Sequence, residues 1–353
     1  MTLQTSTNQV NRYDRQMRVK QIGASGQRKI NHAHILIIGA GALGSYCAEL
    51  LARAGIGQLT IFDPDVVSLT NLQRQTLFTE ADAAAGVFKV DAVKTSLAQI
   101  NHTVTVTTYP YELSESRFQK VAPFDLAIDC TDNYGVRDLL NQLALKYKFD
   151  YIFGSCAGVS GNVMAISPTT HPCLHCLYPN LEALKQTDCD LLGVNTALIP
   201  LVSGLQVSLA LKYLVNKELV DFDRLITIDN WQMSQQSFKV TKDPHCPACG
   251  QPLTHISADF DNQLKTLCGT NVYAIYLDNS LSLAEMTDRL DQHQIKNEAN
   301  AISVQFPFEK LQLTYFKNHK LFIYDAPDKA TANRGYEQLL NQLQIKKAGA
   351  AHA

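Results

Sequence analysis

Apolar and polar positions alternate at helical spacing over residues 13–30 and end in a polar pause at Asn31 and His32, which predicts an N-terminal helical arm over residues 1–33. The run His34-Ile-Leu-Ile-Ile-Gly39 reads as a short apolar strand entering a glycine turn. Residues 45–54 read as a helix closed by Gly55 and Gly57, and Leu59-Thr-Ile-Phe62 as a second strand ending at Asp63. Strand, glycine turn, helix and strand make a βαβ unit, whose crossover implies parallel neighbours. The alternation continues with a helix near 90–100, strands at 104–108 and 125–130, a helix over 134–146, and strands at 151–153, 163–167 and 225–229. Together these predict a Rossmann-like α/β domain over residues 34–250, an open, mostly parallel sheet with helices on both faces.

Two stretches break the rhythm. Residues 191–211 contain no charge and are long enough to cross a bilayer, but Asn195, Thr196, Pro200, Ser203, Gln206 and Ser208 interrupt them. A buried loop followed by a core helix from about residue 201 is the expected arrangement, and no membrane association is expected. Beyond residue 250 the pattern shifts to strands at 272–277, 301–305, 311–316 and 321–324, with a hairpin turn over 317–320 and a helix over 329–343. This predicts a small C-terminal α+β domain over 251–345 and a frayed tail over 346–353.

Composition narrows the function. Hydrophobic residues make up 46% and charged residues 18% of the 353, the balance of a globular chain with a proper core. Lys and Arg number 31 against 33 for Asp and Glu, so no basic field gathers nucleic acid or anionic lipid, and any polyanion must be held locally. The first ten residues are polar, unlike a signal peptide, which points to the cytoplasm. Nine cysteines, four of them in two Cys-x-x-Cys pairs, suit a metal in a reducing compartment better than a disulfide framework.

Gly39-Ala-Gly41-Ala-Leu-Gly44 is a G-x-G-x-x-G turn between strand and helix, where phosphate can approach the backbone and the positive end of a helix. Asp63 stands where a carboxylate accepts both ribose hydroxyls. This much also suits an NAD-linked oxidoreductase. The next segment favours a triphosphate: Asn71-Leu-Gln73-Arg74-Gln75 and Lys89 add polar and cationic groups beyond the ribose, although a solvated surface charge remains an alternative for Arg74 or Lys89 taken singly. Asp129-Cys-Thr-Asp132-Asn133 ends a later sheet strand, where a carboxylate can hold Mg²⁺ against phosphates. Cys173, Cys176, Cys246 and Cys249 form two clamps that supply the ligand set of a closed, structural Zn²⁺ site, with His171, His175 and His245 as bystanders.

These motifs, with Arg12-Tyr13-Asp14-Arg15-Gln16 and Ser68-Leu-Thr-Asn71-Leu-Gln-Arg74-Gln75, resemble the ThiF/MoeB family, related to ubiquitin-activating enzymes, over residues from about 12 to 250. The resemblance implies an adenylyltransferase that uses ATP and Mg²⁺ on a ubiquitin-like sulfur-carrier protein ending in Gly-Gly. By family position Asp63 holds the ribose, Asn71, Arg74 and Lys89 the phosphates, and Asp132 the Mg²⁺. Arg15 would act as a finger from the neighbouring subunit of a homodimer; solvation of the arm's exposed face is the alternative for Arg12 and Arg15. Cys189 is similar to the cysteine that in ThiF-type enzymes can link covalently to the carrier, although Asp188 and Asp190 beside it would raise its pKa. Molybdopterin synthesis is the expected pathway, with the thiazole branch of thiamine synthesis as the alternative and sulfur arriving from a separate donor protein. A non-catalytic scaffold that binds the carrier is the reading from another class.

Overall fold

The chain divides into two compact units, Met1–Ala258 and Asp259–Ala353. A computed structural model describes residues 12–185, 193–251, 253, 256, 264–267, 272–277 and 281–345. The first unit is built on an eight-stranded sheet of β1 (His34–Ile38), β2 (Gln58–Phe62), β3 (Thr105–Tyr109), β4 (Leu126–Asp129), β5 (Tyr151–Ala157), β6 (Ser160–Ile166), β7 (Arg224–Asp229) and β8 (Ser234–Lys239). Their order is β3-β2-β1-β4-β5-β6-β7-β8. The first five run parallel and the last three form an antiparallel meander. All five residues of β1 are buried, as a central parallel strand covered on both faces requires. The chain turns from the β1-β2-β3 side to the β4 side next to β1, and ligands of open α/β sheets bind outside the strand ends at such a switch.

The arm is two helices, α1 (Asp14–Met17) and α2 (Gly23–His32), not the single helix expected over 13–30. Gly23 takes a left-handed φ of +57° at the junction, which ends one helical path and starts another. The first glycine turn leads into α3 (Ala42–Ala54), closed by Gly55 in the left-handed conformation. Then come α4 (Glu80–Ala85), α5 (Lys89–Ile100), α6 (Glu115–Phe118), α7 (Tyr134–Tyr147) and the short turns α8 (Leu174–Leu177) and α9 (Leu181–Leu184).

The uncharged stretch forms α10 (Leu198–Val215), three residues earlier than expected. By length and composition it is the one helix among the described residues that could cross a membrane. Its inner face instead packs on α3, β5 and β6. There Ser203 Oγ donates to the Leu43 carbonyl at 3.2 Å and Gln206 Nε2 to the Asp129 carbonyl at 2.8 Å. Strand β8 was not anticipated: all six of its residues are exposed, so no apolar alternation marks it.

The second unit is a six-stranded antiparallel sheet of β9 (Lys265–Leu267), β10 (Val272–Tyr276), β11 (Glu298–Ala299), β12 (Ser303–Phe308), β13 (Leu311–Phe316) and β14 (Lys320–Tyr324), in the order β11-β12-β13-β14-β10-β9. Tyr273, Ile275, Phe306, Leu313, Tyr315 and Ile323 alternate onto one face. They pack against Met286 and Leu290 of α11 (Leu283–Gln292) and Leu339 and Leu340 of α12 (Lys329–Gln342). Helix α11 was missed, although Ser282 and Glu285 form the reciprocal cap that marks a helix start.

Candidate functional site

The three motif glycines have different jobs. A Cβ on Gly39, whose φ is +94°, would sit 2.6 Å from the Cys130 carbonyl oxygen, and one on Gly44 would sit 1.9 Å from the Gly39 carbonyl oxygen. Both are needed for the turn to close against β4 and its own helix. Around Gly41 the space is open, with only the Gln75 amide nitrogen 3.6 Å from a Cβ built there. Gln75 is buried, and its Oε1 has no hydrogen-bond partner, an orphan polar atom beside the one glycine that faces outward. That combination fits a ligand at the turn. Gly44→Ala is expected to abolish nucleotide binding, because the clash is with backbone; retention of wild-type ATP affinity in equilibrium dialysis would contradict this assignment.

Asp63 ties the turn to β2. Its Oδ2 accepts the Ala40 N–H at 2.7 Å and its Oδ1 the Asp65 N–H at 2.9 Å. Burial pushes its carboxyl up to about 6, against the pull of the Lys89 ammonium. Lys89, at the start of α5, is itself buried and pairs with Asp65 at 2.9 Å. Burial disfavours its charge, but Asp63, Asp65 and Asp132 more than offset this and its pKa is raised. The structure therefore brings Asp63, Lys89 and Asp132 together, and adds Asp65, which the sequence reading did not single out.

Asn71 and Arg74 lie in the turn after β2. Asn71 Oδ1 accepts the Ser68 N–H at 3.1 Å, and Arg74 Nη1 donates to the Thr70 carbonyl at 3.1 Å. Asn71 thus shapes the turn that presents Arg74. Asp132 is exposed at the end of β4, on a loop locked from beneath by Arg137. The Arg137 guanidinium donates to the carbonyls of Thr131 and Gly154 and lies 3.6 Å from the buried Asp129 carboxylate. It also stacks over the rings of Tyr134 and Phe153, 5.0 and 5.2 Å from their centroids. Sequence reasoning missed Arg137, because an arginine in the first turns of a helix reads as a surface charge.

Arg15 is exposed, on an arm whose anchors lie away from the glycine turn. Arg12 donates to the Ile100 carbonyl at 2.8 Å, Gln16 to the Ala54 carbonyl at 2.9 Å, and the Tyr13 hydroxyl accepts from Asn101 at 2.9 Å. These anchors are the far ends of α3 and α5, each of which starts at the site and runs roughly 18 Å away from it. Cys189 lies outside the described residues. Cys47 and Cys130 are buried and Cys156 is half-buried.

The two cysteine pairs, 73 positions apart in the chain, converge so that all four sulfurs lie within 4.8 Å of one another. Sγ–Sγ distances are 3.6 Å for Cys173 and Cys246, 3.6 Å for Cys176 and Cys249, and 3.9 Å for Cys173 and Cys176. A Zn–S bond of about 2.3 Å in a tetrahedron gives an edge of roughly 3.8 Å, so the set matches a closed tetrahedral centre. His175 turns away, its Nε2 2.7 Å from the buried Asp138 carboxylate, which also pairs with Lys185 at 2.6 Å.

Residues 13–248 match the ThiF family. The sulfur carrier protein ThiS adenylyltransferase of Bacillus subtilis is 32% identical over 333 residues, which span 93% of this chain and 98% of that protein. The molybdopterin-synthase adenylyltransferase of Salmonella typhimurium is 34% identical over 242 residues, 68% of this chain and 96% of that one. The adenylyltransferase and sulfurtransferase MOCS3 of Anopheles gambiae is 32% identical over 81% of this chain, which spans only 64% of that longer protein. The fold is similar to that of Escherichia coli MccB, solved with MccA-N7isoASN, at a TM-score of 0.59 and 20% identity over 69% of this chain and 75% of that one. With its glycine turn, acidic and cationic cluster and paired cysteines inside the matched span, the chain belongs to the ThiF family.

Proposed function

We propose that the protein is an ATP-dependent adenylyltransferase that joins AMP to the C-terminal glycine carboxylate of a ubiquitin-like sulfur carrier. The observation that carries this is the clustering of Lys89 with Asp63, Asp65 and Asp132 at the glycine turn, where a hydride carrier needs no such set. In the reaction a carrier carboxylate oxygen attacks the α-phosphorus of ATP, the bond to the bridging oxygen breaks, and pyrophosphate leaves. No enzyme nucleophile is required, only alignment and neutralisation of developing charge. The Gly41 backbone admits the phosphates, Asp63 accepts from the ribose hydroxyls, and Lys89 and Arg74 exchange their local partners for phosphate oxygens. The exposed Asp132 carboxylate would hold Mg²⁺, which when bound would supply neutralisation of phosphate charge. Arg15 then serves the site of a second subunit, since its anchors keep it at the far ends of α3 and α5. The Cys173, Cys176, Cys246 and Cys249 centre would hold structural zinc, and four free thiolates in such a set suit a reducing compartment such as the cytoplasm. Cys189 is a candidate for a covalent link to the adenylated carrier.

The match over nearly the whole Bacillus subtilis protein, C-terminal unit included, supports the thiazole carrier as the first to test. The molybdopterin carrier, toward which the sequence leaned, is the second reading, supported by the Salmonella relative. ATP/pyrophosphate exchange with each Gly-Gly carrier, alongside intact-mass analysis, decides between them. Exchange and an AMP adduct on one carrier identify it. Failure with both, in a protein that binds ATP, would move the assignment to the scaffold reading; NAD bound in preference to ATP would move it to the oxidoreductase.

The Asp63 carboxyl supplies a pH signature. Ionised, it accepts from the ribose; protonated, it loses half that capacity. ATP affinity is expected to fall as pH drops through about 6, and Asp63→Asn is expected to bind weakly and without that dependence. Between 3.8 and about 6 the folded chain holds a proton that the unfolded chain has released, so this group's contribution to stability declines as pH rises through that window.

A further inference from the structure

Helix α7 begins just after Asp132, and its first turn is fixed at both ends. Asn133 Oδ1 accepts the Gly135 and Val136 N–H groups at 2.7 and 3.1 Å, and Arg137 holds the Thr131 and Gly154 carbonyls. α7 is therefore the mount of the Asp132 loop. Positions 134, 138, 141 and 145 recur at helical spacing and share one face of that helix. Each of them meets the part of the chain that carries the first cysteine clamp. The Tyr134 ring packs edge-on against Tyr178, 5.8 Å between centroids. Asp138 lies 2.7 Å from His175 Nε2 and accepts from Lys185 Nζ at 2.6 Å. Asn141 Oδ1 accepts the Leu174 N–H at 3.0 Å, and Leu145 packs on the cysteine cluster. These contacts run along roughly 16 Å of helix.

Asp138 is the polar centre of this face. Its side chain is buried, 2% exposed, so its ionised form depends on partners that stay in place. One of them, His175, lies between Cys173 and Cys176 on α8; another, Lys185, follows α9. Arg137, the next residue toward the loop, reaches the Thr131 and Gly154 carbonyls instead. Consecutive residues of one helix thus grip the Asp132 loop and the cysteine clamp. Four sulfurs joined by one ion fix α8, and with it His175, against Asp138. Once the sulfurs are released, Asp138 loses that fixed partner and α7 loses a constraint on its position.

We infer that Asp138 is a positioning residue through which the cysteine centre and the Mg²⁺-nucleotide site are coupled along α7. His175, a bystander of the cysteine shell by its sequence position, is then the link between them. The coupling is reciprocal: what occupancy of the cysteine centre adds to nucleotide affinity, the bound nucleotide returns to the centre. The inference rests on the proposed binding of ATP and Mg²⁺ at Asp132, and the experiment separates the two.

With Co²⁺ loaded into the cysteine centre of the full-length protein, thiolate-to-metal absorption reports on that centre alone. In the wild type, titration with ATP and Mg²⁺ is expected to change this absorption along the same curve as nucleotide binding measured by equilibrium dialysis. In Asp138→Ala and in His175→Phe that change is expected to be lost. The Mg²⁺ concentration that half-saturates ATP binding is expected to rise about five-fold or more in each. The double variant is expected to be no worse than Asp138→Ala, because both substitutions break the same contact. His175→Phe leaves α7 itself untouched and carries the test if Asp138→Ala does not fold. Absorption that ignores bound ATP and Mg²⁺ in the wild type would overturn the inference. So would a normal Mg²⁺ requirement in a folded variant whose only change is a lower melting temperature, which would leave Asp138 a structural residue. A wild-type protein that binds no ATP at all would bring down the proposed function with it.

Discussion

An Asp132→Ala enzyme is expected to lose ATP/pyrophosphate exchange by on the order of 10²–10³-fold while its melting temperature stays within about a degree or two of wild type. Asp132 is exposed on the loop after β4 and contributes nothing to the core. The loop is set from beneath by Arg137, gripping the Thr131 and Gly154 carbonyls, so removing the carboxylate leaves the backbone in place. The loss is therefore assigned to metal and phosphate binding, and raising Mg²⁺ is expected to restore part of the rate. The companion is Arg137→Gln, which keeps Asp132 but frees its loop. It is expected to raise the apparent KM for Mg²⁺ and to lower the melting temperature, because the buried Asp129 carboxylate loses its opposing charge. Normal turnover in Asp132→Ala would remove the residue from the site.

Removing the metal from the cysteine centre is expected to have the largest effect on stability. Structural zinc sites bind with free energies on the order of 10 kcal/mol, and that energy is folding energy when the unfolded chain holds no preformed site. Here the two clamps come from distant parts of the chain, so the metal closes a long loop as well as filling its coordination shell. The expected results are one zinc released per chain on denaturation, measured with a chromogenic chelator, and a fall in melting temperature of more than about 10 °C in Cys173→Ser. Cys156→Ser, a half-buried thiol outside the cluster, controls for loss of any sulfur and is expected to shift the melting temperature by little. Wild-type stability in Cys173→Ser, or no zinc in freshly purified protein, would contradict the assignment.

Much of the site is legible in the chain because its signals are local. A glycine turn between an apolar strand and a helix needs only its neighbours to be recognised, and Asp63 is found by counting to the end of the next strand. The acidic and cationic residues that follow are separated by spacings a βαβ crossover can close. What stayed hidden is long-range or depends on desolvation. Asp65 looks like any polar residue after a strand until Lys89 is seen buried against it. Arg137 reads as a solvated helix charge until β5 and the β4 loop close over it. Strand β8 has no hydrophobic alternation, since it pairs through its backbone at the sheet edge and buries no side chain.

By itself, then, the sequence determined the α/β alternation, the nucleotide turn and the identity of the candidate ligands, because hydrophobic period, glycine conformation and thiol chemistry are properties of single residues and their near neighbours. Tertiary structure alone decided which of those groups meet. Sheet order places β4 beside β1 and so brings Asp132 to Lys89; folding over 73 positions joins the two cysteine clamps. The docking of the arm on the far ends of α3 and α5 sets its anchors away from the glycine turn. It also decided which side of α10 is core and which is left outward, since a helix whose apolar and polar residues are mixed around its whole circumference carries no period from which a face can be read.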